Sequence, residues 1–318
     1  MFSSCPRFAV ILACIVFPLF SAEAQTDGTT LVLTNAKETF NQTFQKTPVW
    51  RTGGVQTNAA AKPLNDPTFS WVSGYIWDHP LLNRPAPWPQ PTSNFPAWTS
   101  NGAADASPNG DLMAQIMQKQ DVPLTWSGAL NFSVRPMPAY LAQTIGTTDP
   151  KGYIGATINS FPYSQRYGVF AMYAKLPKGK GVWPAFWLLP VDKSWPPELD
   201  VMEVIGTQPT VLYTTLHTNI PKQQTSLGKG TDTHLDLSAA YHEYAVDWGP
   251  NQIRWYFDRK LVFTQTTPTD LRKPCYILAN VAVGGPKNWG GAPDTSTTFP
   301  ATMQVAYIKA WQRPEYGP

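Results

Sequence analysis

Trp195-Pro196-Pro197-Glu198-Leu199-Asp200-Val201-Met202-Glu203-Val204-Ile205-Gly206 sets three acids into an otherwise apolar run. Side chains alternate faces along a strand, so Glu198 and Asp200 share one face while Leu199 and Val201 share the other, which would face a core. Glu203 stands five positions from Glu198, an odd offset, and a regular strand would aim it into that core. A buried unpaired carboxylate is costly. The stretch therefore predicts an extra residue near Val201 or Met202, a β-bulge that returns Glu203 to the acidic face.

Working outward, most of the chain carries the same strand signature, with β-branched and aromatic residues alternating with polar ones between Gly and Pro. The clear cases are 167–175, 211–217, 241–248, 252–258, 276–283 and 303–311. Helical periodicity is scarce, and Asp111 to Gln120 is its best candidate. Many short strands without βαβ alternation predict one all-β domain, an antiparallel sandwich or barrel, over residues 25–318. Between Ile76 and Pro108 the strand signal lapses into a stretch rich in proline that carries Trp77, Trp88 and Trp98. That insertion reads either as an ordered flap lining a cleft or as a surface loop.

Composition narrows the function. With 14% charged and 13% aromatic residues the chain has the apolar surface to fill a core, which excludes wholesale disorder. With 24 Lys and Arg against 21 Asp and Glu, and no long basic run, it lacks the footprint of a nucleic-acid binder. The first residues have the form of a secretory signal: a short basic start, an apolar run from Phe8 to Phe20 too short to span a bilayer, and Ala22-Glu23-Ala24 before Gln25. Cleavage between Ala24 and Gln25 would remove Cys5 and Cys14 and leave Cys275 without an internal partner. A lipoprotein signal at Cys14 is the alternative, but it would leave apolar residues 15–20 outside the signal. The expectation is a monomer outside the cytoplasm, with no membrane span and no nucleic-acid partner.

Three carboxylates on one strand face have a chemical use. In retaining glycoside hydrolysis one carboxylate attacks the anomeric carbon while a second, protonated one donates to the leaving oxygen. Crowded acids push their pKa values apart, which keeps one ionised and another protonated near neutrality. Spacing alone equally admits solvent-facing acids on an edge strand, or ligands of a calcium ion. Upstream, Trp183 and Trp187 are four apart, so an extended chain presents both on one face. Aromatic planes stack on the C–H faces of sugars, and with Trp195 and Trp289 they suggest a polysaccharide cleft. No His or Cys partner has zinc spacing to His217 or His242. His217 reads as a neutral hydrogen-bonding group near the cleft, His242 as a structural strand residue.

Taken with 166–170, 175–177, 183–190, 242–248, 253–258 and 280–285, the Glu-x-Asp-x-x-Glu strand resembles glycoside hydrolase family sixteen, from about Tyr153 to Trp311. The resemblance implies a two-sheet β-jelly roll with a concave substrate face. It implies Glu198 as nucleophile, Asp200 as its electrostatic helper and Glu203 as general acid and base, with Trp183, Trp187 and His217 as subsite residues and no cofactor. The six-residue acid spacing is similar to the laminarinase-type branch rather than to plant xyloglucan transglycosylases. Two departures bear on the calcium bound by some relatives, because Glu38-Thr39-Phe40 and Val305-Ala306-Tyr307 replace acidic positions, so no metal is expected. Ala171-Met172 stands where members often carry a Glu. The function implied is an exported, retaining endo-β-glycanase acting on β-1,3 or mixed β-1,3/1,4 glucan or a related exopolysaccharide. A transglycosylase and a noncatalytic glucan-binding protein are the alternatives on the same fold.

Overall fold

The computed structural model describes residues 29–43, 50–51, 71–73, 129–136, 153–154, 156–161, 163–220 and 225–317. The expected signal at 1–24, the insertion at 76–108 and the helix expected at 111–120 lie outside them. In chain order the strands are β1 (Lys37–Gln42), β2 (Trp50–Arg51), β3 (Trp71–Ser73), β4 (Leu130–Pro136), β5 (Tyr153–Ile154), β6 (Ala156–Asn159), β7 (Gly168–Lys175) and β8 (Val182–Pro190). They continue with β9 (Glu198–Glu203), β10 (Val211–Thr218), β11 (Thr225–Asp232), β12 (His242–Trp248), β13 (Gln252–Phe257), β14 (Lys260–Thr266), β15 (Cys275–Val283) and β16 (Ala301–Gln312). All six strands expected from alternation are present, with ends displaced by two residues or fewer.

Two sheets form. One runs β14-β13-β12-β7-β16-β4-β5 with β1 also on β16, and the other runs β11-β10-β9-β8-β15-β6-β3-β2. Every pairing is antiparallel except that of β2 with β3. The result is a sandwich, with the inward halves of both sheets interdigitating. Period-two patterning drives it: β10 alternates half-buried and buried residues throughout, with Leu212 and Leu216 in the core and Tyr213, Thr215 and His217 on the other face. Leu199, Val201 and Val204 enter the same core from the acidic stretch, beside Phe186 and Leu188 of β8 and Trp248 and Trp255 of the facing sheet. Truncating either wholly buried tryptophan to Ala would cost ~3–5 kcal/mol, from lost transfer energy and the cavity left behind.

The outer face of the β7/β12 sheet is partly covered by the N-terminal segment, where Leu31 packs on Val169, Ala171, Ala245 and Tyr256. Its main chain is tied there by Leu31 N–H to Arg259 O at 2.7 Å and Leu261 N–H to Thr29 O at 2.8 Å. Ala171 is therefore part of an apolar contact. Among the described residues, no helix is long and apolar enough to cross a membrane.

Candidate active site

β9 lies between β8 and β10, so the acids are on an interior strand and not on an edge. The bulge expected near Val201 is present. Phe186 and Trp187 of β8, adjacent in sequence, pair with Met202 and Asp200, which leaves Val201 as the extra residue. On the other side the register slips over the same interval, Tyr213 pairing with Glu203 and Thr215 with Asp200. A bulge leaves backbone groups unpaired. Here the indole N–H of Trp255, from the opposite sheet, donates to the Asp200 carbonyl at 2.8 Å inside the core.

The bulge returns Glu203 to the face that carries Glu198 and Asp200, and each glutamate meets an indole there. Trp195 Nε1 donates to Glu198 Oε2 at 2.7 Å, and Trp183 Nε1 donates to Glu203 Oε1 at 3.0 Å. His217, opposite Glu198 on β10, places Nε2 3.2 Å from Asp200 Oδ2 and 3.9 Å from Glu198 Oε1. Ser226 of β11 sits behind the ring, its Oγ 2.8 Å from His217 Nδ1.

Burial dominates the electrostatics. It lifts Glu203 to about 8, with the Glu198 charge adding to it and the Trp183 donor partly offsetting it. Asp200 rises to about 6 through burial and the charge of Glu203, against the pull of His217. Glu198 is also raised, by burial and by Asp200, while His217 and the Trp195 N–H oppose the rise. For His217 burial acts downward, but Asp200 and Glu198 outweigh it and push the ring to about 9. The neutral imidazole expected from the sequence is thus replaced by a cation near neutrality, because two carboxylates flank its Nε2.

The tryptophans divide into two kinds. Trp195 and Trp289 are 48% and 43% exposed, as a sugar-stacking surface requires. Trp183 meets Trp289 edge-on at 5.4 Å, and Trp289 meets Tyr213 edge-on at 4.7 Å, an aromatic wall beside Glu203. Trp187 shares the acid face but is 8% exposed, packed among Ala185, Leu189, Tyr276 and Leu278, with its N–H on Asn280 Oδ1 at 2.8 Å. It supports the floor more than it offers a surface. Trp289 is held by a fixed loop: Gly181, at φ +76°, lies where a Cβ would come within 2.4 Å of Pro293, and its N–H reaches Gly290 O at 3.3 Å. His242 lies apart from the acids and pairs with Asp258 at 2.7 Å, the structural role expected of it.

Tyr213 and Ser226 were not singled out from the sequence. Tyr213 had a usable signal, an aromatic at an even offset from His217 on one strand. Ser226 had none, because its place depends on the pairing of β10 with β11.

Glu198, Asp200 and His217 bring one potential ligand atom each within 4.8 Å of one another. The ring Nε2 is already engaged within the group, 3.2 Å from Asp200 Oδ2 and 3.9 Å from Glu198 Oε1. The positions that the resemblance linked to calcium fare no better: Glu38 is engaged by Lys309 at 3.4 Å and Asn41 at 2.6 Å, and Ala306 offers no side-chain oxygen. Calcium takes ~6–8 oxygen ligands, and these residues do not fit it.

The family model for glycosyl hydrolases family 16 matches residues 114–309, more than half of the chain. The chain belongs to that family. Two relatives from Rhizobium meliloti strain 1021 are described as endo-1,3-1,4-beta-glycanases, EglC and ExsH. EglC is 39% identical over 188 residues, covering 58% of this chain and 38% of its own length. ExsH is 34% identical over 220 residues, covering 67% of this chain and 46% of its own. This chain thus spans less than half the length of either relative. In fold, the family 16 chain is similar to the laminarinase catalytic domain from Thermotoga maritima MSB8, with a TM-score of 0.61 at 22% identity over 87% of this chain and 98% of that one. That likeness shows the shared jelly-roll sandwich.

Proposed function

We propose that this family 16 protein is a retaining endo-β-glycanase that cuts internal bonds of a β-1,3 or mixed β-1,3/1,4 glucan or a related exopolysaccharide. The observation that carries the reading is the bulge at Val201, which gathers Glu198, Asp200 and Glu203 on one face with different charge environments. Glu198 has an indole donor and a nearby cation, and both oppose the rise that burial and Asp200 impose on it. Glu203 has an indole donor and no cation in contact among the described residues, and it keeps its proton to about 8.

In the first step the Glu198 carboxylate attacks the anomeric carbon, the glycosidic C–O bond breaks, and Glu203 gives its proton to the leaving oxygen. In the second, the Glu203 carboxylate takes a proton from water, the oxygen of that water attacks the same carbon, and the glycosyl ester to Glu198 breaks. The exposed Trp195 flanks the Glu198 end and the Trp183, Trp289 and Tyr213 wall flanks the Glu203 end, so sugars on both sides of the cut have a surface to stack on. That arrangement suits internal cleavage. The names of the two Rhizobium relatives support the linkage range, and the signal-like residues 1–24 support work outside the cytoplasm.

The test is reducing-end release by the purified protein on laminarin, lichenan, agarose and a succinoglycan-type exopolysaccharide, with Glu198→Gln as control. Release of shorter chains from a β-glucan by wild type, and none by the variant, is the expected result. Hydrolysis by Glu198→Gln near the wild-type rate would remove the assignment, and mixed longer products would move it to transglycosylation.

A further inference from the structure

Glu198 and Asp200 share one face of β9, with a carboxylate oxygen of each within 4.8 Å of the other and of His217, so a proton held by one bears on both, and attack by Glu198 requires that this proton be absent or lie on Asp200. Asp200 is nearly fully buried, and its Oδ2 receives no well-directed hydrogen bond. A charge left there would be costly without a counter-charge. His217 supplies one at 3.2 Å, and its ring is fixed from behind by Ser226, its register partner on β11. A serine hydroxyl can accept from Nδ1–H or donate to a bare Nδ1, so it holds the ring in both charge states.

We propose that Ser226 and His217 form a positioning pair that holds a cation against Glu198 and Asp200, so that these two shed their shared proton at a pH where Glu203 still keeps its own. The pair works by separation: an opposite charge within a few ångströms favours the ionised carboxylate, and Glu203 lies on the far side of Asp200 from the ring. Among the described residues, the groups that face the imidazole are Glu198 and Asp200 from β9, Ser226 from β11 and the Trp195 ring, 6.4 Å away from the turn that precedes β9. Glu203 acts at one remove, through its charge on Asp200. Without the cation, Glu198 and Asp200 move up toward Glu203, and the pH range in which nucleophile and acid are both in the required form narrows from its acid side.

The proposal rests on the roles given to Glu198 and Glu203, and two measurements separate its fate from theirs. The first needs no turnover: nitrogen NMR titration of the histidine rings, with the His217 signals assigned by their loss in His217→Gln. Wild-type His217 should titrate well above the ordinary value of 6.5, and Asp200→Asn should bring it down. A ring titrating at or below the ordinary value would overturn the proposal whatever the enzyme does to glucan. The second is the pH profile of kcat/KM. In Ser226→Ala and His217→Gln the acid limb should move up, by about one unit in the latter, read as about a tenfold loss of rate on the acid side with the alkaline limb in place. A uniform loss at every pH, or a rise in KM alone, would mean that the pair only binds substrate or supports the fold, and would also overturn it. If wild type cuts none of the glucans, the catalytic reading fails and the NMR titration still decides the pair.

Discussion

Replacing Glu203 by Gln keeps the side chain's length and an oxygen that can accept from Trp183 Nε1, and it removes the charge. Folding lifts this carboxyl from 4.5 to about 8, through burial first and the Glu198 charge second. The native state therefore retains a proton that the unfolded chain gives up. Glu203 costs no stability below 4.5, costs progressively more as pH climbs toward about 8, and adds nothing further beyond it. Near neutrality about two and a half pH units separate the unfolded value from the solvent, and at ~1.4 kcal/mol per unit a dry site would cost ~3 kcal/mol. Glu203 is only partly sheltered, so ~1–2 kcal/mol is the expected gain on substitution after discounting for solvent screening. For a domain of this size that gain is about 2–3 °C in Tm. Differential scanning calorimetry of both proteins near pH 4, 6 and 8 should show Glu203→Gln melting higher at pH 8 and level with wild type at pH 4. An equal gain at pH 4, or lower stability at pH 8, would refute the reasoning. The same variant should lose about 10²–10⁴ in hydrolysis as the general acid disappears, so that stability is bought with activity.

Trp183→Phe removes the hydrogen bond that holds Glu203 down, so the alkaline limb of kcat/KM should move up from about 8 by up to about one unit; a limb that stays or falls would show that the indole does not set this acid. Deleting Val201 removes the extra residue and turns Glu203 toward the core, with ~2–5 kcal/mol lost in urea melts and no hydrolysis, whereas a stable, active deletion would show that the bulge does not aim the acid.

The acidic strand could be read so far because its conflict was local. Leu199 and Val201 had to face a core, Glu203 could not, and one extra residue resolved both demands, which a reader of residues 198–203 can work out without a second strand. The same holds for Trp183 and Trp187, whose common face follows from an even offset on β8. What each then meets does not follow. Trp187 is covered by Tyr276 and Leu278 of β15 while Trp183 stays beside Glu203, a difference made by which strands are neighbours. The charge on His217 departs from the expected neutral ring for a related reason. Burial alone would keep the ring neutral, and only the register of β10 against β9, which sets it beside two carboxylates, reverses the balance. Trp255 is the extreme case, since its bond to the Asp200 carbonyl crosses from one sheet to the other.

The donors around the three acids are also graded in a way that composition hides. A Lys or Arg against Glu203 would pull its proton off well below neutrality, because a full positive charge at contact distance favours the carboxylate by one to three pKa units or so. An indole N–H orients the carboxyl with a single hydrogen bond and no net charge, so burial still wins and the proton stays. At the other end burial and the neighbouring acid raise Glu198, and the indole of Trp195 opposes that rise with a hydrogen bond but no net charge. The one cation at that end adds a full charge to the same side of the balance, and its ring is set between β9 and β11, on the side of Asp200 away from Glu203. The asymmetry that divides attack from proton donation therefore lies in where a single charge sits, on strands whose inner faces are locked into the core, and not in any difference between the two glutamates themselves.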